Sequence, residues 1–116
     1  MDTVTYPDSR TVNFVRNYMI PLRVNVSSAP SWASRFVIQY TPTVITLDED
    51  GREHHRTVGF LPAEEFLPDL MLANGKAFIQ NRRTAKARAF LERVIRDYPR
   101  SRSAQAATEL VRKLRA

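Results

Sequence analysis

Val12, Val15 and Met19, with Phe14 and Tyr18 beside them, recur at the spacing of one helix face between Asp8 and Pro21. The pattern predicts a helix capped by Asp8 and stopped by Pro21. From residue 22 the period becomes two: Leu22, Val24 and Val26 alternate with Arg23 and Asn25, as in a strand with one covered face. A turn over 27–30 follows. Trp32, Ala33, Phe36 and Val37 then return to helical spacing behind Pro30, a residue suited to a first helical turn, and predict a short helix over 30–38. Residues 43–47 are apolar or β-branched and 53–59 read as a second strand, with Asp48-Glu49-Asp50-Gly51 turning between them. The expected result is an antiparallel hairpin.

Beyond the hairpin the period is helical to the end. Pro62 with Glu64 and Glu65 opens a helix, since carboxylates suit the positive end of its aligned amides. Pro68 predicts a kink or a restart near Leu67. Asn74-Gly75 more often ends a helix than continues one, so a junction is expected there, within three residues either way. Gly75, Phe78, Ala87, Leu91, Val94 and Pro99 then follow in an order and spacing that resembles one tetratricopeptide repeat, a helical hairpin that stacks on its neighbours. The resemblance implies close approach of two helices at Gly75 and Ala87, with Phe78, Leu91 and Val94 filling the seam. Asp97-Tyr98-Pro99 ends the second helix. Ser101 or Ser103 starts a last one, striped by Ala104, Ala107, Leu110, Val111 and Leu114.

The segment from Phe36 to Leu47, with Asp50-Gly51 and then Thr57-Val58-Gly59-Phe60, resembles the second half of a thioredoxin. In that family a helix runs into a strand opened by a cis-proline, which Pro42 after Thr41 would match, and Gly59 would match the glycine near the end of the last strand. The resemblance covers roughly residues 8–73. It implies that Tyr40, Thr41 and Pro42 line a groove that pairs with an extended polypeptide. Two departures accompany it. Val37 stands where the family usually has a glycine for a left-handed turn, which a β-branched side chain disfavours, so the helix should end another way. The family's first strand, its central strand and the Cys-x-x-Cys segment are missing. Loss of the central strand would leave unpaired backbone groups in the sheet. Three remedies are open: the flanking strands pair directly, a second copy completes the sheet as a homodimer, or the native chain begins upstream of Met1.

Composition narrows the chemistry. The 116 residues contain no cysteine, which removes the thiolate that thiol–disulfide exchange requires. An apolar content of 43% with three glycines fits one ordinary globular core without a metal or disulfide staple. Neither a membrane-length apolar run nor a secretory leader is visible, and the chain reads as cytoplasmic. The net charge of +6 is divided unevenly: residues 1–75 carry six basic and nine acidic side chains, residues 76–116 twelve and three. Lys86, Arg93 and Arg96 fall on one face of the predicted helix as a basic ridge. Aromatic residues are not interleaved on the ridge to stack bases, since Phe90 and Tyr98 fall toward the apolar side, which weighs against nucleic acid as a partner.

Other chemistry finds little support. His54 and His55 are neighbours in a strand, so their side chains point to opposite faces and read as exposed or satisfied histidines rather than metal ligands. Asp48 to Gly51 lacks the later ligands of a calcium loop. Phosphate loops, nucleophile elbows and zinc-protease motifs are absent from the sequence, and neither a catalytic residue nor a cofactor is assigned. Trp32, Phe36, Phe14 and Tyr18 read as core rather than as a ligand pocket.

The expected fold is α/β: a reduced thioredoxin-like sheet of about three strands over 1–73, and a helical hairpin plus one further helix over 74–116, docked as one unit. Two functions follow. One is a non-catalytic interaction module that binds an extended polypeptide or a partner helix. The other is the scaffold part of a disulfide oxidoreductase whose Cys-x-x-Cys lies upstream.

Overall fold

The computed structural model describes residues 9–24, 31, 33, 36–38 and 42–115. Its elements run α1 (Ser9–Tyr18), β1 (Thr43–Leu47), β2 (Glu53–Val58), α2 (Ala63–Gln80), α3 (Thr84–Asp97) and α4 (Arg102–Arg115). Helix α2 is the hub. It touches α1, both strands, α3 and α4, and the run from Phe66 to Gly75 is buried on every side except at Asp69. A helix apolar all round belongs inside a fold, and this one forms the axis on which the others pack.

That burial explains two departures from the local rules. Pro68 lies inside α2, which passes through it as a single helix with no restart near Leu67. Asn74 and Gly75 are also interior, so the junction expected there does not form and the helix ends six residues later, at Asn81. A proline within a helix costs about 3 kcal/mol, and each fully buried Leu, Met or Phe contributes about 1.5–3 kcal/mol. Phe66, Leu67, Leu70, Met71 and Leu72 together outweigh the break.

The carboxylates and caps sit where helix ends need them. Pro62 is the N-cap of α2, with Glu64 and Glu65 in its first turn. Glu65 reaches further, accepting the Arg102 N–H at 3.2 Å and so tying the start of α4 to the start of α2. Ser101, rather than Ser103, caps α4: its Oγ accepts the Ala104 N–H at 3.1 Å and donates to the Tyr98 carbonyl at 2.7 Å.

The sheet has two strands among the described residues, β1 antiparallel to β2, in a register that pairs Thr43 with Val58 and Thr46 with His55. The strand expected over 22–26 is not formed at 22–24, and residues 25 and 26 lie outside the described set. Ile20 is 97% exposed and Leu22 74%. An alternating pattern makes a strand only when a sheet covers its apolar face, and no neighbouring strand does so at Leu22 among the described residues. The helix expected over 30–38 is also not seen where it can be judged: Ser31 and Ala33 lie in a 3₁₀ turn, and residues 36–38 are not helical. Val37 keeps a negative φ, since Arg82 is the one described non-glycine residue with a positive φ. No helix among the described residues is long and apolar enough to cross a membrane.

Candidate functional site

Pro42 stands at the head of β1, half-buried, and its carbonyl accepts the Gly59 N–H at 2.8 Å. Tyr40 and Thr41, the other two residues of the expected groove, lie outside the described residues. The Pro42–Gly59 bond fixes the direction of every backbone group in the hairpin. In an antiparallel ladder hydrogen-bonded pairs alternate with non-bonded ones. Val44–Thr57 and Thr46–His55 therefore face inward across the ladder, while the amide and carbonyl of Ile45 point to the outer edge of β1. Gly59 has φ +89°, a left-handed conformation that glycine takes without strain, and a β-carbon there would meet nothing within 4 Å. Val58 and Phe60 beside it are exposed, Phe60 by 70%. The mouth of the hairpin is thus open and apolar.

The two faces of the hairpin differ. Val44, Thr46, His55 and Thr57 lie toward α2, with Thr46 buried and Val44 against the core. His54 and Arg56 lie on the opposite face, as the alternation of strand side chains requires. There, Arg56 grips Glu53 through two bonds of 2.8 Å and donates its remaining nitrogen to the Val37 carbonyl. The paired guanidinium holds the Glu53 carboxyl below its usual range and raises the Arg56 guanidinium, each acting chiefly through the hydrogen bond.

Between β2 and α2 lies a polar cluster that sequence reasoning missed. His55 Nε2 is 2.8 Å from Asp69 Oδ1, Lys76 Nζ is 2.9 Å from His55 Nδ1, and the Thr57 hydroxyl donates to the other Asp69 oxygen. The arrangement is satisfied if His55 donates from Nε2 and accepts from Lys76 at Nδ1. Both ring nitrogens are then engaged, so the histidine has no free nitrogen for proton transfer to a substrate. The cluster clamps the sheet to the helix. One available signal was the seven-residue interval from Asp69 to Lys76, which places both on one face of α2. No group of three or more His, Asp or Glu side chains gathers to hold a metal ion among the described residues.

The basic ridge is only partly a ridge. Arg96 bonds Asp97 at 3.0 Å, and Arg93 lies 3.8 Å from the same carboxylate while its guanidinium rests 5.8 Å over the Phe14 ring. Arg96 holds the Asp97 carboxyl below its usual range, mainly by the hydrogen bond, with Arg93 adding a smaller pull. Lys86 stands apart, 5.8 Å over Phe78. The rings come from three helices: Phe78 of α2 stacks on Phe90 of α3 at 5.6 Å, and Phe90 meets Tyr18 and Phe14 of α1 edge-on at 5.2 and 6.0 Å. A search confined to the sequence of α3 could not find them, because three helices converge to make the cluster.

A family model described as a thioredoxin-like domain matches residues 3–74. No curated protein and no solved structure matches the chain.

Proposed function

The chain belongs to the family of thioredoxin-like domains, and on that premise we propose that it is a non-catalytic member, an interaction module that binds an extended polypeptide alongside β1 at Pro42. The observation that carries this reading is the absence of cysteine from all 116 residues. Thiol–disulfide exchange needs a thiolate. What such a domain retains without one is its hold on an extended chain, and the resemblance puts that contact at Tyr40, Thr41 and Pro42. The outward amide and carbonyl of Ile45 support the reading, because an edge strand is a template for another strand. So do the exposed Val58 and Phe60 at the hairpin mouth, which offer apolar surface to the side chains of an incoming segment.

The helical part is read as a tetratricopeptide-like hairpin docked on the thioredoxin-like part over 74–116. The close seam of Gly75, Ala87 and Leu91 supports that reading, and α2, which packs on both the hairpin and α3, supports treating the two parts as one unit.

Amide hydrogen exchange with and without a permanently unfolded, carboxymethylated polypeptide tests the proposal. The expected result is slowed exchange across residues 43–47 on binding. Ile45→Pro removes an outward donor while leaving the inward ladder bonds, a substitution that edge strands tolerate. It should abolish the binding and leave the melting temperature near that of the parent. Protection confined to the helices, or unchanged binding by Ile45→Pro, would overturn the assignment to β1.

A further inference from the structure

Three cations, Arg82, Arg83 and Lys86, crowd the turn from α2 into α3. All are exposed, and no carboxylate among the described residues pairs with any of them. The turn itself is strained at Arg82. The Arg82 N–H bonds the Ile79 carbonyl at 3.0 Å and the Arg83 N–H bonds the Phe78 carbonyl at 2.8 Å, the two-bond helix ending that places the residue after the C-cap in the left-handed region. Arg82 has φ +62° there. Glycine occupies such positions most often, since any β-carbon is crowded. The Arg82 side chain is exposed and makes no hydrogen bond or ion pair with the described residues that would offset the strain, and such outliers cluster at functional surfaces.

Directly behind the corner lies the aromatic cluster. Lys86 rests on Phe78, Phe78 on Phe90, and Phe90 on Tyr18, which is 51% exposed. Cations and a half-open tyrosine thus form one continuous surface made by α1, α2 and α3. We infer that this surface docks an acidic polypeptide segment, whose carboxylates meet Arg82, Arg83 and Lys86 and whose apolar or aromatic side chain seats beside Tyr18.

Charge complementarity fixes the sign of the partner, because residues 76–116 carry nine more basic than acidic side chains. The ring geometry favours a polypeptide over a nucleic acid. Phe14 is buried, and Phe78 and Phe90 cover each other at an interplanar angle of 16°, so this cluster offers no row of open ring faces among the described residues for bases to stack on. Asp97 pairs with both Arg93 and Arg96, which interrupts the run of free charge along α3 beyond Lys86. Tyrosine and arginine together are also the residue types that dominate protein–protein contacts. This surface is separate from Pro42, and its test does not depend on the hairpin.

Fluorescence anisotropy on the full chain provides the test. The probe is a short fluorescein-labelled peptide of glutamates flanking a central Phe-Leu pair, compared with its all-glutamine counterpart and with an oligothymidylate. The acidic peptide should bind, the glutamine peptide should not, and binding should weaken as salt rises. A variant carrying Arg82→Gly, Arg83→Gln and Lys86→Gln should bind about tenfold more weakly, the combined effect of three exposed charges. Its melting temperature should not fall, because Arg82→Gly relieves the turn. Tyr18→Ala should weaken the peptide as well. Absence of acidic-peptide binding, unchanged affinity in the triple variant, or tighter binding of the oligothymidylate that the triple variant loses would each overturn the proposal, the last in favour of nucleic acid.

Discussion

Leu91 of α3 lies so close over Gly75 of α2 that a β-carbon on the glycine would meet its Cδ2 at 2.7 Å and its Cγ at 3.0 Å. Leu91 and Ala87 are fully buried, so the leucine has no open space to swing into. Two effects oppose each other in Gly75→Ala. The helix gains about 1 kcal/mol from the better helix former, and overpacking costs about 1–3 kcal/mol. The overlap should win, giving a net loss of about 1 kcal/mol in urea denaturation. In a Leu91→Ala background the same substitution should become neutral or stabilising, because the obstructing methyl is gone. Stabilisation by Gly75→Ala alone would show that the α2–α3 seam yields.

Arg82→Gly should act in the opposite direction. A residue at φ +62° pays for its β-carbon, and glycine does not. Set against glycine's larger unfolded-state entropy, the expected gain is about 0.5–1 kcal/mol, read as a higher denaturation midpoint. Arg82→Ala keeps the β-carbon and removes only the charge. It should leave stability within about 0.5 kcal/mol of the parent, so an equal gain from both variants would point to charge relief rather than strain.

Local patterns read well wherever short-range chemistry decides. The hairpin turn at Asp48–Gly51, the carboxylates of the first α2 turn and the end of α3 at Asp97 all rest on residues within a few positions of one another. Long-range packing decided the rest. Pro68 and Asn74-Gly75 read as breaks because nothing in their neighbours says that five other elements will enclose α2. The alternation at 22–24 reads as a strand because nothing there says that no strand among the described residues will pair with it. The same limit applies to the site. His54 and His55 lie on opposite faces, as strand alternation requires, but the partner of His55 is Asp69, fourteen residues away, and the rings beside Lys86 come from three helices.

Asp69 of α2 accepts from both His55 and Thr57 of β2, beside the contact between Lys76 and His55 Nδ1. The side chains of His55 and Asp69 are 13% and 14% exposed. Removing the carboxylate leaves two nearly buried donors unsatisfied, at about 1–3 kcal/mol for a group stripped of its partner. Asp69→Ala should therefore destabilise the fold by that order. Asp69→Asn, which keeps an acceptor oxygen, should cost less. The double variant Asp69→Ala/Thr57→Val should recover part of the loss, since one stranded hydroxyl is removed. Chemical denaturation of the three variants checks the ordering, and equal effects of alanine and asparagine would mean that packing rather than hydrogen bonding dominates.

Asp48 closes the hairpin from the other end. Its Oδ1 accepts the N–H groups of Asp50 and Arg52 at 2.9 and 3.0 Å, and Oδ2 lies 2.7 Å from His54 Nε2. The His54 hydrogen bond, followed by those backbone donors, holds the Asp48 carboxyl down to about 2, from an ordinary 3.8. A depressed carboxyl stabilises the folded state above its unfolded pKa, and that contribution is lost as pH falls through the folded value. The tip of the hairpin should therefore loosen between pH 3.8 and about 2. Amide exchange at residues 48–54, followed downward from pH 5, is the local readout. It separates this step from the acid response of Glu53 and Asp97, whose carboxyls are also held low. In Asp48→Asn the turn keeps an acceptor for the two amides but has no charge to titrate. Its tip should be weaker above pH 4 and show no step of its own below it. An acid step at the tip identical to that of the parent would assign the transition to Glu53 instead.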